Sequence, residues 1–208
     1  MSVLVLSPHT DDGELGAGGT INKFVNEGKD VYYIAFSSCE DSLPMGLPKN
    51  TLKIECKRST KLLGLHPEKV KILDYQVRTF PEHRQEILER LIKFKEAYKP
   101  DLILVPSSYD IHQDHSTIYW EALRAFKKEA SIWGYEHPWN NLSFRTDVFV
   151  VLESKHINSK IRSIQQYESQ NSKDYIAKHN ILALARARGS QIGKQYAEAF
   201  EMIRLIID

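Results

Sequence analysis

The 208-residue chain has only two cysteines, Cys39 and Cys56, and they do not form a Cys-x-x-Cys pair. The sequence therefore indicates neither a disulfide framework nor a thiolate zinc site. An excess of charge of one sign is also absent, because 28 lysines and arginines balance 27 aspartates and glutamates and leave a formal net charge of +1. This balance argues against a nucleic-acid partner and against a polybasic membrane anchor.

Long apolar runs are missing as well. No stretch reaches the roughly 18 apolar residues of a membrane span, and no basic segment followed by an apolar one marks a targeting signal. We therefore expect a cytoplasmic protein without a membrane span. No internal repeat or low-complexity linker divides the sequence, so we expect a single domain.

What the sequence does contain is a regular alternation of short apolar runs with helical patterns. Runs of strand length at 3–6, 31–36, 70–73 and 102–105 are each followed by apolar residues at helical spacing. This alternation predicts an α/β fold with a Rossmann-like, doubly wound and mostly parallel sheet. The other predicted elements are strands at 132–136 and 148–152, helices at 155–168 and 172–188, and a closing strand from Tyr196.

Two clusters of histidines and carboxylates follow two of these runs. They are His9-Thr-Asp11-Asp12 after the first strand and His112-Gln-Asp114-His115 after the strand at 102–105. In open α/β sheets, ligands bind beyond the carboxyl ends of the strands, where the strand order reverses. If the two strands are neighbours, both clusters meet there. Imidazole and carboxylate ligands without thiolate suit zinc or another borderline divalent ion.

The first cluster, which continues to Gly18-Gly19, resembles the His-Pro-Asp-Asp motif of the LmbE/PIG-L family of zinc-dependent deacetylases of N-acetylated sugars. The second resembles that family's His-x-Asp-His motif. The likeness extends along most of the chain, through 55–64, 100–101, 167–170 and 188–200. It implies a Rossmann-like fold and one LmbE/PIG-L-like deacetylase domain over residues 1–208. Thr10 replaces the family's usual proline, and Gly13 stands where many members have glutamate, which bears on the subfamily and the substrate.

Carried over residue by residue, the resemblance implies three metal ligands, His9, Asp12 and His115. It makes Asp11 the general base and His112 the residue that stabilises or protonates the reacting group. Asp114 would orient His112 and favour its charged form. The implied ion is Zn²⁺, although another divalent metal would suit the same ligands.

The implied substrate is a small N-acetylated sugar or glycoconjugate precursor, which hydrolysis would split into acetate and a free amine. Arg78 is a candidate for binding a carboxylate or phosphate of the substrate, and Asp110 for binding a sugar hydroxyl. Trp139 could offer a stacking face to a sugar. We expect His156 at the surface. The sequence leaves open whether the chain forms a homo-oligomer.

Two other classes of function stay open. A zinc amidohydrolase that acts on a non-sugar N-acyl substrate would use the same ligands. A non-catalytic Rossmann-type nucleotide-binding module would explain the glycines at 16, 18 and 19, but its fingerprint requires a glycine where Ile21 stands.

Overall fold

The computed structural model describes residues 1–207, which form a seven-stranded sheet covered by helices on both faces. The strands are β1 (Ser2–Ser7), β2 (Asp30–Ala35), β3 (Val70–Ile72), β4 (Leu102–Pro106), β5 (Ser131–Tyr135), β6 (Val148–Leu152) and β7 (Tyr196–Arg204). The helices are α1 (Asp12–Asn26), α2 (Thr51–Leu62), α3 (Arg84–Tyr98), α4 (Gln113–Phe126), α5 (Ser154–Ile164) and α6 (Lys178–Gln191). The predicted α/β class is confirmed.

The strand order is β3-β2-β1-β4-β5-β7-β6. Strands β1 to β5 pair in parallel, whereas β7 runs antiparallel to both β5 and β6. The chain builds the sheet outward from β1 to β3 and then returns to place β4 on the other side of β1. The strand order therefore reverses between β1 and β4, which is where ligands bind in folds of this kind.

The core lies on both faces of the sheet. Successive side chains of a strand point to opposite faces, so Val3 and Val5 pack into one apolar cluster while Leu4 and Leu6 pack into the other. This explains why the first strand is a continuous apolar run and not an alternating one. Within residues 1–207, no helix combines the length and the apolar character that a membrane span requires.

The last third of the chain differs most from the prediction. The helix expected at 172–188 begins only at Lys178, because Asp174 to Ile176 form a short 3-10 turn in front of it. The helix expected to reach residue 168 ends at Ile164. The final strand, β7, lies inside the sheet between β5 and β6 and does not form an edge.

The expectation that His156 lies at the surface is wrong. Its side chain is buried, and its Nδ1 accepts a hydrogen bond of 3.0 Å from the backbone N–H of Glu153. The Glu153 side chain in turn accepts from the backbone of His156, so the two residues form a capping box at the start of α5. His156 therefore has a structural task at a helix end.

Candidate metal centre and active site

The two histidine–carboxylate clusters lie at the carboxyl ends of β1 and β4. The first leads into α1, which begins at Asp12, and the second leads into α4, for which His112 is the N-cap residue. Because β1 and β4 are neighbours in the sheet, the structure brings together side chains that are more than a hundred residues apart. His9 Nδ1 lies 3.2 Å from His115 Nε2.

Three potential ligand atoms form a small triangle at this point. Asp12 Oδ2 lies 3.1 Å from His9 Nδ1 and 3.2 Å from His115 Nε2, and the two nitrogens are 3.2 Å apart. A tetrahedral zinc ion with bonds of about 2.0–2.1 Å separates its ligands by roughly 3.3–3.4 Å. The triangle therefore has the dimensions that a zinc ion needs, and its atoms are those of a typical zinc ligand set.

A buried carboxylate backs each of the two imidazoles on the side away from the triangle. His9 Nε2 lies 3.0 Å from Asp114 Oδ2, and His115 Nδ1 lies 2.7 Å from Asp110 Oδ2. A carboxylate that accepts a hydrogen bond from one ring N–H leaves the other nitrogen free to bind a metal. Two further triads of ligand atoms lie close together, His9/His112/His115 and Asp12/His115/His137. His137 also has a carboxylate nearby, since its Nδ1 lies 3.4 Å from Asp110 Oδ2, but its Nε2 faces the backbone carbonyl oxygen of Asp12.

The expected contact between the carboxylate of Asp114 and the ring of His112 is wrong. The Asp114 carboxylate lies in the first turn of α4 and reaches across to His9. It also accepts hydrogen bonds from the backbone N–H groups of Arg78, at 2.6 Å, and Phe80, at 3.3 Å. Asp114 therefore orients a candidate metal ligand and joins it to the loop that follows β3.

The expectation that Asp110 binds a sugar hydroxyl is also wrong. Only 4% of this residue is exposed. Its Oδ2 contacts His115 Nδ1, and its Oδ1 accepts from the backbone N–H of His112 at 2.9 Å. Since both oxygens are already engaged inside the protein, Asp110 is placed to position His115 and has no oxygen free for a sugar hydroxyl.

The charges around the triangle favour a cation at its centre. Burial alone would lower the pKa of His9, but the nearby carboxylates of Asp12 and Asp114 outweigh burial and raise it to about 10. For His115, burial is likewise outweighed by Asp12 and Asp110, and the pKa rises to about 9. Although burial acts in the opposite direction, the two imidazoles hold the pKa of Asp12 well below its usual range. The negative charge of the carboxylates around the triangle can be balanced by protonation of the two imidazoles or by one divalent ion.

His112 differs from these two histidines. Burial and the neighbouring His115 and His9 lower its pKa to about 4, which favours the neutral ring over the charged form that the resemblance implies. Asp114 raises the pKa, but by less than these effects lower it. The Nδ1 atom of His112 accepts the backbone N–H of Asp114 at 3.2 Å. The neutral ring therefore carries its proton on Nε2 and can donate a hydrogen bond from that atom.

A pocket of about 240 Å³ opens at the triangle. Its lining includes seven of the candidate site residues named from the sequence, His9, Asp11, Asp12, Arg78, His112, His115 and Trp139, whereas Asp110 and Asp114 are not among its lining residues. Burial and the neighbouring charge of Asp12 raise the pKa of Asp11, against the opposing effects of Lys173 and His9. A carboxyl group of raised pKa beside a metal triangle is suited to proton transfer.

The sequence analysis missed His137, which is fully buried beside the triangle. Its Nε2 lies 3.1 Å from the backbone carbonyl oxygen of Asp12. On its other side it stacks on Trp139, with ring centroids 4.9 Å apart, and Trp139 stacks on Tyr175 at 4.2 Å. Trp139 thus has two stacking partners inside the protein, but it is 39% exposed and lines the pocket at the triangle, so its contact with a sugar stays a prediction. The available signal was that His137 lies two residues beyond the carboxyl end of β5, which is parallel to β4.

A buried hydrogen-bond network behind the first cluster was missed as well. The Glu14 carboxylate accepts from the hydroxyls of Tyr33, Tyr167 and Ser59, the last two at 2.7 and 2.8 Å. Both tyrosine hydroxyls also contact the carbonyl oxygen of Thr10. Burial raises the pKa of Glu14 to about 7, although its three hydroxyl partners act in the opposite direction. This network holds the loop between β1 and α1 from behind.

The same network leaves no room for a side chain at position 13. A side chain at Gly13 would place its Cβ atom 2.6 Å from Cε2 of Tyr33, which is far inside van der Waals contact. Glutamate therefore has no room at position 13. Glu14, one position later, supplies a carboxylate that binds the Tyr33 hydroxyl.

The chain belongs to the family described as PIG-L, GlcNAc-PI de-N-acetylase, whose model matches residues 4–126. This range includes both clusters. The chain is also similar to the diacetylchitobiose deacetylase of Thermococcus kodakarensis, with 26% identity over 97% of this chain and 82% of that protein.

Two solved structures show how widely this fold is used. The N,N'-diacetylchitobiose deacetylase of Pyrococcus horikoshii matches with a TM-score of 0.81 and 21% identity, over 97% of this chain and 83% of that one. GalB of Pseudomonas putida, a 4-carboxy-2-hydroxymuconate hydratase, matches with a TM-score of 0.80 and 19% identity, over 100% and 98% of the two chains. These likenesses establish the fold, which alone does not decide the reaction.

Proposed function

We propose that this protein is a zinc-dependent deacetylase that removes the N-acetyl group from an N-acetylglucosamine-type sugar or glycoconjugate precursor. The observation that carries the proposal is the triangle of His9, Asp12 and His115, with a carboxylate behind each imidazole and Asp11 at the adjoining pocket. The family match and the deacetylase from T. kodakarensis support amide hydrolysis over a nucleotide-binding module. We also propose that residues 1–208 act as one deacetylase domain.

In this proposal His9, Asp12 and His115 hold the ion, and Asp110 and Asp114 fix the tautomers of the two histidines. When bound, a zinc ion lowers the pKa of a coordinated water and polarises the acetamide carbonyl. The donor set fits zinc because it contains two imidazoles and a carboxylate, and because the pocket opens beside these donor residues.

The remaining chemistry belongs to side chains of the pocket. Asp11 accepts a proton from the attacking water as the bond to the carbonyl carbon forms. His112 donates its Nε2–H to the carbonyl oxygen, on which negative charge develops in the transition state. As the C–N bond breaks, Asp11 delivers the proton to the departing nitrogen, and acetate and a free amine result. A neutral His112 is a weak acid, so this proton transfer is assigned to Asp11.

Arg78 remains the candidate for recognition of the substrate. Its side chain is exposed and its residue lines the pocket, while its backbone N–H is anchored by Asp114. A guanidinium at the rim suits a carboxylate or phosphate attached to the sugar. The backbone contact fixes the position of the residue and leaves the side chain free to bind.

The test is acetate release from N-acetylglucosamine glycosides by the purified protein, by the chelated protein and by the protein reloaded with zinc. Activity should be lost on chelation and restored by zinc. His9→Ala and His115→Ala should lose bound zinc, whereas His66→Ala, at an exposed position, should keep it. Stoichiometric zinc in both site variants would refute the ligand assignment. Hydrolysis of N-acyl amino acids but of no N-acetyl sugar would favour the non-sugar amidohydrolase.

A further inference from the structure

A second and larger cavity adjoins the catalytic pocket. It has a volume of about 650 Å³ and lies between the first turns of α1, the strand β7 and the helix α6. Small and apolar residues form much of its wall, among them Leu15, Ala183, Leu184, Ala187, Ala197 and Ala199. This volume is in the range of cavities that hold small-molecule ligands.

The two cavities share a wall. The rings of Trp139 and Tyr175 line both the large cavity and the pocket at the metal triangle. They stack on each other with an interplanar angle of 16°, and Trp139 is 39% exposed. A molecule held at the triangle therefore needs to extend only past this ring pair to enter the larger cavity.

Ion pairs occupy much of the charged part of the cavity wall. Lys160 Nζ lies 2.6 Å from Glu198 Oε1, and both side chains are 6% exposed. Glu198 also accepts hydrogen bonds from the backbone N–H groups of Gly19 and Thr20, at 3.0 and 2.7 Å. Arg188 binds Glu136 through two of its nitrogens. These charges are satisfied within the protein, and the rest of the wall is mostly hydrocarbon.

We propose that this cavity binds an alkyl or acyl chain carried by the substrate, while the N-acetylated sugar occupies the neighbouring pocket. The inference rests on the proposed deacetylation and narrows its substrate to an amphiphilic N-acetyl sugar. A methylene group that leaves water for a hydrocarbon wall gains up to roughly fourfold in affinity. A second sugar would instead give up hydrogen bonds to water without recovering them from alanine and leucine side chains.

The first experiment compares methyl, butyl and octyl glycosides of N-acetylglucosamine as substrates. We expect kcat/KM to rise on the order of tenfold or more from the methyl to the octyl glycoside, since partial burial of seven additional methylene groups suffices for this gain. Ala183→Leu and Ala187→Leu place larger side chains into the cavity from exposed positions of α6, where leucine is compatible with a helix. Both variants should lose most of the chain-length effect and hydrolyse the methyl glycoside as the unmodified protein does.

The matched control is Ala97→Leu, the same substitution at an exposed position of α3 away from the cavity. It should keep the chain-length effect in full. If the α6 variants and this control behave alike, the cavity does not bind the chain. An unchanged rate across the glycoside series in the unmodified protein, with active hydrolysis of the methyl glycoside, would overturn the inference and leave the deacetylation intact.

A binding experiment separates this inference from the proposed reaction. The neutral apolar fluorophore N-phenyl-1-naphthylamine should bind the unmodified protein, be displaced by the octyl glycoside, and bind both α6 variants at least fivefold more weakly. Displacement without acetate release would refute the deacetylation while supporting a chain-binding cavity. Absence of fluorophore binding, together with a changed mass of the α6 variants in light scattering, would assign the cavity to contact between copies and overturn the proposal.

Discussion

Asp110→Asn is the substitution that tests the metal centre with the least disturbance. Asparagine has the same shape as aspartate but lacks its charge, and it presents one oxygen where aspartate has two. That oxygen can still accept the backbone N–H of His112, which now binds Oδ1 at 2.9 Å. The amide NH₂ then faces His115 Nδ1, 2.7 Å from the present Oδ2. The ring nitrogen must then accept a hydrogen bond from the amide instead of donating one.

This change moves the proton of a neutral His115 from Nδ1 to Nε2, the atom that belongs to the metal triangle. A protonated Nε2 cannot bind a metal. To bind zinc, the variant must either adopt the other tautomer of His115 or flip the amide of residue 110, and the free energy of that change weakens zinc binding. Loss of such a supporting carboxylate typically weakens metal affinity 10- to 100-fold, which corresponds to about 1.4–2.7 kcal/mol. Asp114→Asn should act in the same direction through His9, whose Nε2 lies 3.0 Å from the carboxylate.

The measurement is competition for zinc between the protein and a chromophoric chelator at neutral pH. Asp41→Asn is the control, because Asp41 is exposed in the loop after β2, and it should have the affinity of the unmodified protein. Circular dichroism and thermal unfolding of the metal-free proteins show whether Asp110→Asn keeps its fold. A folded Asp110→Asn variant with a dissociation constant within twofold of the unmodified protein would refute the assigned role of the carboxylate.

Three further substitutions test the base, the buried ion pair and the packing near the site. Asp11→Asn should keep stoichiometric zinc while kcat falls by roughly 10²–10⁴; turnover at the original rate would remove Asp11 from the role of base. Lys160→Met leaves the buried Glu198 without its cation and should cost about 3–5 kcal/mol in urea unfolding; a cost below about 1 kcal/mol would show that the backbone N–H groups suffice for the carboxylate. Gly16→Ala would drive a methyl group into the ring of Tyr135 and should lower the free energy of unfolding by roughly 1–3 kcal/mol, whereas unchanged stability would show that the ring can move aside.

The fold could be predicted because its signals are local. Leu4 and Val5 are consecutive and both fully buried, a pattern typical of a strand covered on both faces. Once β1 and the strand at 102–105 are placed as neighbours, the histidines that follow each strand must meet at one edge of the sheet. The meeting of His9 with His115 thus follows from topology and requires no knowledge of side-chain conformation.

The partners of Asp114 could not be predicted in this way. Whether its carboxylate turns to His9 or to His112 depends on the loop after β3, which offers the backbone N–H groups of Arg78 and Phe80. Arg78 adopts a φ of 72°, a left-handed conformation that is uncommon outside glycine and is not signalled by the residue type. The side-chain choice therefore depends on a backbone conformation that the sequence does not indicate.

His137 escaped prediction for a different reason. It has no partner at a recognisable spacing, since the loop from 137 to 141 contains no second histidine or carboxylate. Its position depends on the length of β5 relative to β4, because the carboxyl end of β5 brings it beside Asp12. Motif spacing detects residues on one segment, whereas this contact arises from the register between two strands.

A hydratase shares the fold of this protein, so the choice of reaction depends on the side chains of the site and not on the fold. A hydratase adds water to its substrate and releases no amine, whereas amide hydrolysis needs a proton on the departing nitrogen. Burial, His115 and His9 lower the pKa of His112 to about 4, so this ring suits hydrogen-bond donation more than proton delivery. Asp11 has a raised pKa and borders the same pocket, so it can take the proton from water and pass it to nitrogen. The assignment of deacetylation to this chain therefore depends on Asp11 more than on the fold.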